Sequence, residues 1–326
     1  MLINDKYMVF SVIGKGAFGV VCKSINIDTQ DYLAIKFESK ENSKNRLEKE
    51  YQIYTFLNEN NKNINIPKIY WFGEYKDCNI LIMDKLGESL ENIIKKLKYS
   101  FDLKSILILT IKLLKLLKDI HSFNIIHQDI KPDNLALGRN KFRNEVYLFD
   151  FGLSKLKENE EKERLNKANS LVGTLRYASI NSHLGYTLSY RDDLESLLYS
   201  IIYLYNRKLP WQSIKCEDKK KKNELVLDMK KNIELSQLCY KLPFEYQQLF
   251  KYCKQLKFNE LPKYDNIIKV LHNKYIEYGF DLTQNNNSNN LMYNFTSSNI
   301  KNNISEKNNK SLLLKKTIKM MKNNNI

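Results

Sequence analysis

From Tyr7 to Phe37 apolar and polar residues alternate around glycine-rich punctuation, and this period of two predicts three strands. Residues 44–57 (KNRLEKEYQIYTFL) change to helical spacing, with Leu47, Tyr51, Ile53, Tyr54 and Leu57 near one face. Two short strands are predicted near 69–74 and 79–84. Beyond residue 85 the spacing is helical: Asp102–Ser122, with Asp102 as its cap, then Asp192–Asn206, Glu245–Gln255 and Tyr264–Tyr275. A strand-rich first quarter followed by helices, with no Gly/Ser-rich linker between, predicts an α+β chain of two lobes. The small lobe spans residues 1–85 and the larger one 86–282.

From about Thr283 the composition shifts to NNNSNN, NNIKNNI and MKNNNI, which predicts a polar, disordered tail over 283–326. Within it Ser311–Met321 (SLLLKKTIKMM) is basic and amphipathic, a stretch able to dock on an acidic surface or to remain a weak helix with no role. Asn-x-Ser/Thr triplets such as Asn294-Phe295-Thr296 follow from the Asn bias. There is no internal repeat.

The 326-residue chain is 43% hydrophobic and 28% charged, as expected of a globular protein, and its formal net charge is +16. That excess favours phosphoproteins, nucleic acid or an anionic membrane without choosing among them, and a Lys- and Asn-heavy composition accounts for it equally well. Cys22, Cys78, Cys216, Cys239 and Cys253 are scattered without metal-ligand spacing and read as reduced thiols, which points to the cytoplasm or nucleus. The N-terminal residues lack the pattern of a signal peptide, no lipidation motif is evident, and the longest apolar run, Ser196–Asn206, is too short to span a bilayer. No nucleic-acid-binding motif is present.

The chemistry lies in four motifs. Gly14-Lys15-Gly16-Ala17-Phe18-Gly19 with Val21 reads GxGxxGxV. A dinucleotide-binding turn shares the first part, but it leads from a strand into a helix; here VVCKSINI continues as a strand, so the loop is a hairpin able to lay backbone over phosphates. Leu33-Ala34-Ile35-Lys36 ends a neighbouring strand in a lysine suited to phosphates and in need of a carboxylate. Glu50 fits that need; Glu48 is offset by about 200° around the helix. His127-Gln128-Asp129-Ile130-Lys131-Pro132-Asp133-Asn134 offers Asp129 to accept or orient a hydroxyl proton, Lys131 to neutralise a transferred phosphoryl group and Asn134 to bind magnesium. Phe149-Asp150-Phe151-Gly152 follows a predicted strand and offers Asp150 as the main magnesium ligand.

Together these motifs resemble the eukaryotic protein kinases, and Lys131 two residues after Asp129 resembles their serine/threonine branch. Gly173 to Asn181 (GTLRYASIN) ends in Ser-Ile-Asn where most kinases have Ala-Pro-Glu. That ending, with HLGYTLSYRDDLESLLY, LPWQSIK and LGESLENI, is similar to the casein kinase 1 family from about Tyr7 to Leu282.

The resemblance implies a bilobal fold with an ATP cleft between the lobes, ATP and Mg2+ as cofactors, and acidic or phosphate-primed protein substrates. It implies nucleotide contacts from Ile13 to Val21, Val20 included, and from Ala34, Lys36, Met83 as gatekeeper, the Asp84–Lys85 hinge and Ala136. Asp193 would brace the catalytic loop and Thr174 would lie near Asp129. Arg176 and Lys222 match a substrate anion site; the run Lys219–Lys222 otherwise reads as a solvated loop or an import signal.

Three departures accompany these matches: Gln128 replaces an arginine, Ala136 a larger apolar residue and Leu198 a glycine. The missing guanidinium implies an enzyme active without activation-segment phosphorylation. The resemblance implies a monomer, with a pseudokinase scaffold as the alternative activity.

Overall fold

The alternation between Tyr7 and Phe37 becomes three antiparallel strands, β2 (Tyr7–Gly16), β3 (Gly19–Asn26) and β4 (Tyr32–Ser39), in a computed structural model. The structure describes residues 1–16, 19–42, 45–61, 63–97, 100–157 and 171–280. Ala17 and Phe18, the boundary at 282, the tail at 283–326 and its stretch Ser311–Met321 lie outside them.

Strands β1 (Leu2–Ile3), β5 (Ile69–Tyr75) and β6 (Cys78–Asp84) complete a six-stranded antiparallel sheet ordered β1-β2-β3-β4-β6-β5. Successive residues of a strand point to opposite faces. On one face Leu33, Ile35, Ile80 and Ile82 join Ile3 and Tyr7 in a buried core, flanked by Phe37, Trp71 and Tyr75. On the other, Ala34 pairs with Met83 and Lys36 with Leu81. Helix α1 (Arg46–Asn60) adjoins β5 and β6 and buries Leu47, Glu50, Tyr54 and Leu57. The apolar stripe anticipated for this helix thus contains a carboxylate, while Tyr51 and Ile53 are only half-buried.

Past Asp84 the chain turns helical. Helix α2 (Leu90–Lys96) is capped by Ser89, whose side chain accepts the Asn92 amide. Helix α3 (Leu103–Ser122) is capped by Asp102 as expected, the carboxylate accepting the Ser105 amide at 2.7 Å. The short strand β7 (Ile125–Ile126) follows; then β8 (Leu135–Leu137) and β9 (Val146–Leu148) form a hairpin. Strand β10 (Lys155–Leu156) pairs with β7. After α4 (Ile180–His183), helix α5 (Tyr190–Asn206) is buried on nearly all sides, the mark of a central core helix. It starts two residues before the expected Asp192 because Asp192 itself accepts the Ser189 amide at 2.7 Å.

Helices α6 (Lys219–Asn232), α7 (Leu235–Leu238), α8 (Phe244–Gln255) and α9 (Tyr264–Glu277) complete the described chain. The run Lys219–Lys222, for which a solvated loop is one alternative, is the first turn of α6, started by the Asp218 side chain, which accepts the Lys221 amide at 2.9 Å. Periodicity missed α6 because it buries only Val226 and Lys230 and carries no apolar stripe. The cysteines are unpaired, and no helix among the described residues is long and apolar enough to cross a membrane.

Candidate active site

The phosphate loop is a hairpin: Gly16 pairs with Gly19 across β2 and β3, and no helix follows. Its glycines have different causes. At Gly19, φ is +143° and an added Cβ would lie 1.9 Å from the Phe37 carbonyl oxygen, so the fold itself demands glycine. A Cβ at Gly14 would meet only Val21, at 3.8 Å, and one at Gly16 would meet nothing within 4 Å. The fold leaves that space open, so packing alone does not demand glycine at either position. Ile13 and Lys15 are exposed, whereas Val20 and Val21 are half-buried.

Below the loop, Lys36 donates to Glu50 Oε2 at 2.7 Å and to Asp150 Oδ1 at 2.8 Å. Glu50 is therefore the partner carboxylate rather than Glu48. Burial disfavours the Lys36 ammonium, but the charges of Glu50 and Asp150 outweigh it and raise the group above its ordinary value. Asp150 is opposed by burial too, and Lys36 holds its carboxyl below the usual range. Glu50 behaves differently: burial pushes it up to about 7 against the pull of Lys36. One cation is shared between two carboxylates; at Glu50 burial prevails, helped by the negative charge of Asp150.

Asp150 has a left-handed backbone (φ 67°, ψ 66°), and its amide donates to the Tyr54 hydroxyl on α1 at 3.0 Å. Phe151 then meets Tyr54 and His127 edge-on, with ring centroids 5.0 and 4.8 Å away. Tyr54 joins α1 to both motifs, a role not anticipated from the sequence. Its signal was present, since it lies one helical turn after Glu50.

The loop His127–Asn134 hangs from Asp193, on the first turn of α5. One carboxylate oxygen accepts the His127 amide at 2.7 Å and the other accepts the Gln128 amide at 2.8 Å. His121 Nε2 lies 3.1 Å from Asp193, and Tyr264 OH 2.6 Å from His121 Nδ1. The buried charge is thereby paired with polar hydrogens. Burial lowers the His127 pKa, and the neutral ring accepts the Asp129 amide at Nδ1 (3.3 Å) and faces the Phe149 carbonyl with Nε2 (3.3 Å).

Gln128 sits at φ +67°, nearly buried. Its carbonyl oxygen would lie 2.6 Å from a Cβ at Gly173, whose φ is +84°, so glycine lets the two loops touch.

Both carboxylate oxygens of Asp129 are engaged. Oδ1 accepts the Thr174 hydroxyl at 2.8 Å; Oδ2 accepts Lys131 Nζ at 2.6 Å and Asn134 Nδ2 at 3.2 Å. Lys131 also reaches Thr174 Oγ1 at 2.9 Å. An alcohol is thus held between a carboxylate and an ammonium, the pair required to take its proton and to balance charge on a phosphoryl group.

Asn134 spends its amide nitrogen on Asp129 and so keeps its oxygen as a ligand; Asp150 adds a carboxylate. No group of three or more His, Cys, Asp or Glu side chains that could cage a metal occurs among the described residues. Two hard oxygen donors beside a phosphate loop fit magnesium, which takes its remaining ligands from phosphates and water.

At the other end of the cleft, Ala34 and Met83 pair across β4 and β6, and Ala136 is buried in β8. The Asp84 amide donates to the Lys68 carbonyl at 2.9 Å and its carboxylate accepts from Lys68 N and Tyr70 OH, which fixes the start of the hinge. Lys85 is half-buried; burial, with Arg139 and Lys23 nearby, lowers its pKa. The substituted Leu198 is fully buried in α5.

The Ser-Ile-Asn ending is tied to the same helix. Ser179 Oγ and Asn181 Nδ2 donate to Asp192 at 2.7 and 3.0 Å, and the Ile180 amide donates to Glu195 at 3.1 Å. Helix α5 supplies the carboxylates, and the cap and first residues of α4 supply the donors. Arg176 is half-buried, its guanidinium 5.3 Å from the centre of the Tyr203 ring and 3.4 Å from Tyr177 OH. Lys222 is half-buried in the first turn of α6.

The protein kinase domain model matches residues 7–276, a span that runs from the first strand of the phosphate hairpin to the last turn of α9. With the bilobal α+β fold and the cleft chemistry in place, the chain belongs to the protein kinases.

Proposed function

We propose that the chain is a serine/threonine kinase of the casein kinase 1 type, which transfers the ATP γ-phosphoryl group to acidic or phosphate-primed proteins without a phosphate on its own activation segment. The observation that carries this reading is the Thr174 hydroxyl between Asp129 and Lys131, at 2.8 and 2.9 Å. A serine or threonine hydroxyl of a substrate has the same chemistry and fits the same pair. The Ser-Ile-Asn ending and its bonds to Asp192 and Glu195 support the narrower family.

In this reading Ile13 to Val21 cover the phosphates and Lys36, steadied by Glu50, draws the α- and β-phosphates. Ala34, Met83, Asp84, Lys85 and Ala136 border the adenine. Asp150 and Asn134 would hold Mg2+, which would supply positive charge at the phosphates. Asp129 orients the attacking hydroxyl and receives its proton. Lys131 balances charge on the phosphoryl group in flight. Arg176 and Lys222 receive an acidic or phosphorylated residue of the substrate.

Independence from activation is supported by Gln128, which brings no cation, and by the bonds that hold the segment after residue 171. Ser182 Oγ donates to the Val172 carbonyl at 2.6 Å, and Thr174 is bound by the catalytic loop itself. The protein is expected to act as a monomer in the cytoplasm or nucleus.

The test is phosphate transfer from Mg-ATP to casein and to a primed peptide, with Asp129→Asn as control, followed by phosphoamino-acid analysis. Phosphoserine or phosphothreonine is expected. Phosphotyrosine alone, or no transfer by the wild-type protein, would overturn the proposal.

A further inference from the structure

Helix α6 carries a lysine that no step above uses. Lys230 is 1% exposed, although the rest of its helix is largely polar and solvated. Its Nζ donates to the Leu175 carbonyl at 3.1 Å and to the Ala178 carbonyl at 2.6 Å, and lies 3.0 Å from His183 Nε2. His183 Nδ1 is 2.6 Å from the Asn223 side-chain oxygen, so the ring proton belongs at Nδ1 and Nε2 is left to accept. Three acceptors thus meet the three N–H groups of one ammonium. The rings of Tyr199 and Trp211 lie 4.8 and 5.0 Å from Nζ. Burying an ammonium is costly, and burial pulls Lys230 down to about 7, opposed by Glu195. A methionine would fill the space without that cost, so the N–H donors have a use beyond packing.

The use lies in what the carbonyls belong to. Residues 174–178 form a closed turn in which the Thr174 carbonyl accepts the Tyr177 and Ala178 amides at 2.8 and 2.9 Å. The Arg176 carbonyl accepts Trp211 Nε1 at 2.8 Å. Lys230 takes the carbonyls of Leu175 and Ala178, on either side of Arg176 and Tyr177. The turn therefore has its carbonyls at 174, 175, 176 and 178 all held, and it presents Thr174 to Asp129 and Arg176 to the groove. Lys222 lies eight residues before Lys230 on the same helix, about 12 Å along its axis. The lysine thus fastens the turn bearing one half of the proposed anion site to the helix bearing the other.

We propose that Lys230 is a positioning residue for the peptide substrate: by holding the Leu175 and Ala178 carbonyls it sets the docking turn 174–178 in register with Asp129. The inference rests on the kinase reading above. It concerns peptide docking alone, because Lys230 touches none of the proposed nucleotide-binding residues.

The experiment uses the full chain with Lys230→Met, which keeps the length and loses the donors, and Lys230→Gln, which keeps a neutral two-hydrogen donor. Steady-state constants for peptide and ATP, peptide-free ATP hydrolysis and thermal unfolding are measured on each. The expected result is a rise of about tenfold in peptide KM for Lys230→Met, with ATP KM and peptide-free hydrolysis within about twofold of wild type. Lys230→Gln should fall between the two in peptide KM. An unchanged peptide KM would overturn the inference, and so would peptide and ATP constants that deteriorate together. If neither variant folds, the lysine is a fold element and the inference is likewise overturned. Absence of phosphate transfer by the wild-type protein would instead defeat the kinase reading.

Discussion

The Asp150 amide donates to the Tyr54 hydroxyl at 3.0 Å, so the residue that opens Asp-Phe-Gly is fastened to the face of α1 that carries Glu50. Movement of α1 would therefore disturb Asp150 by two routes, through Glu50–Lys36 and through Tyr54. Tyr54→Phe keeps the ring against Phe151 and removes the hydroxyl that accepts the Asp150 amide and also bonds Glu50. The unpaired amide should cost about 1 kcal/mol of stability, and kcat should fall several-fold with little change in peptide KM. Denaturant unfolding and steady-state kinetics check this; a folded variant with wild-type kcat would show that Lys36 alone sets Asp150.

Glu50 gives the site a pH dependence with a definite sign. Its folded pKa, raised by burial to about 7, exceeds the ordinary 4.5. Between these values the folded state holds a proton that the unfolded chain has released, so the contribution of Glu50 to stability falls as pH rises from 4.5 to 7. Lys36, with its pKa raised, stays charged throughout this window, and Asp150, with its pKa lowered, stays ionised. The Lys36–Glu50 ion pair, in contrast, requires the ionised carboxylate. Activity should therefore increase with pH along a limb centred near 7 for the ATP-free enzyme. Glu50→Gln should lose most activity, and its residual rate should lack that limb. A limb that survives in Glu50→Gln belongs to another group.

Lys36→Arg, Asp129→Asn and Asp150→Asn should each reduce phosphate transfer by about a hundredfold or more. Each keeps the approximate size of its side chain and should leave the circular dichroism spectrum native. Asp129→Asn is the most decisive, because it preserves a polar contact to the Thr174 hydroxyl while removing the proton acceptor. Most of the activity remaining in that variant would sink the assignment of Asp129.

These groups were legible in sequence for a physical reason. Glycines at set spacing, a lysine at a strand end and an aspartate after a strand are each forced by local geometry, and local geometry leaves a local pattern. Glu50 was legible through helix angle alone. Lys230 was not: among the lysines of α6 its burial depends on carbonyls 52 and 55 residues away. Helix α6 itself was hidden because its polar composition carries no period. Tyr54 was placed on the right face, but its bond to Asp150 spans 96 residues and leaves no mark in spacing.

Phosphatase treatment of protein made in bacteria should leave activity unchanged within about twofold, because the position that would bind an activation-segment phosphate holds a neutral, nearly buried Gln128. The turn at 174–178 is already held by Lys230 and Trp211 without a phosphate. Activity lost on dephosphorylation and regained by phosphorylation between residues 153 and 178 would show that the segment needs a charge that the fold does not supply.

The last prediction concerns substrate choice. Arg176 is half-buried against Tyr203, and Lys222 belongs to a four-lysine run in the first turn of α6, which has no acidic residue there. Positive charge at a helix N-terminus opposes the helix dipole, so these lysines weaken their own helix until an anion arrives. A phosphate held by both side chains would relieve that repulsion and gain charge-assisted hydrogen bonds, each contributing roughly 1.5–3 kcal/mol when dry and less at this half-exposed site. Replacing Arg176 and Lys222 together by Ala should therefore raise KM for a primed peptide more than for its unprimed counterpart. The gap should narrow as salt is added, because exposed charges are screened over about 8–10 Å at moderate ionic strength. If the lysines served only solubility or import, the double variant would change both KM values equally or not at all. Measuring both peptides at low and moderate salt separates the two, and equal effects would end the priming hypothesis.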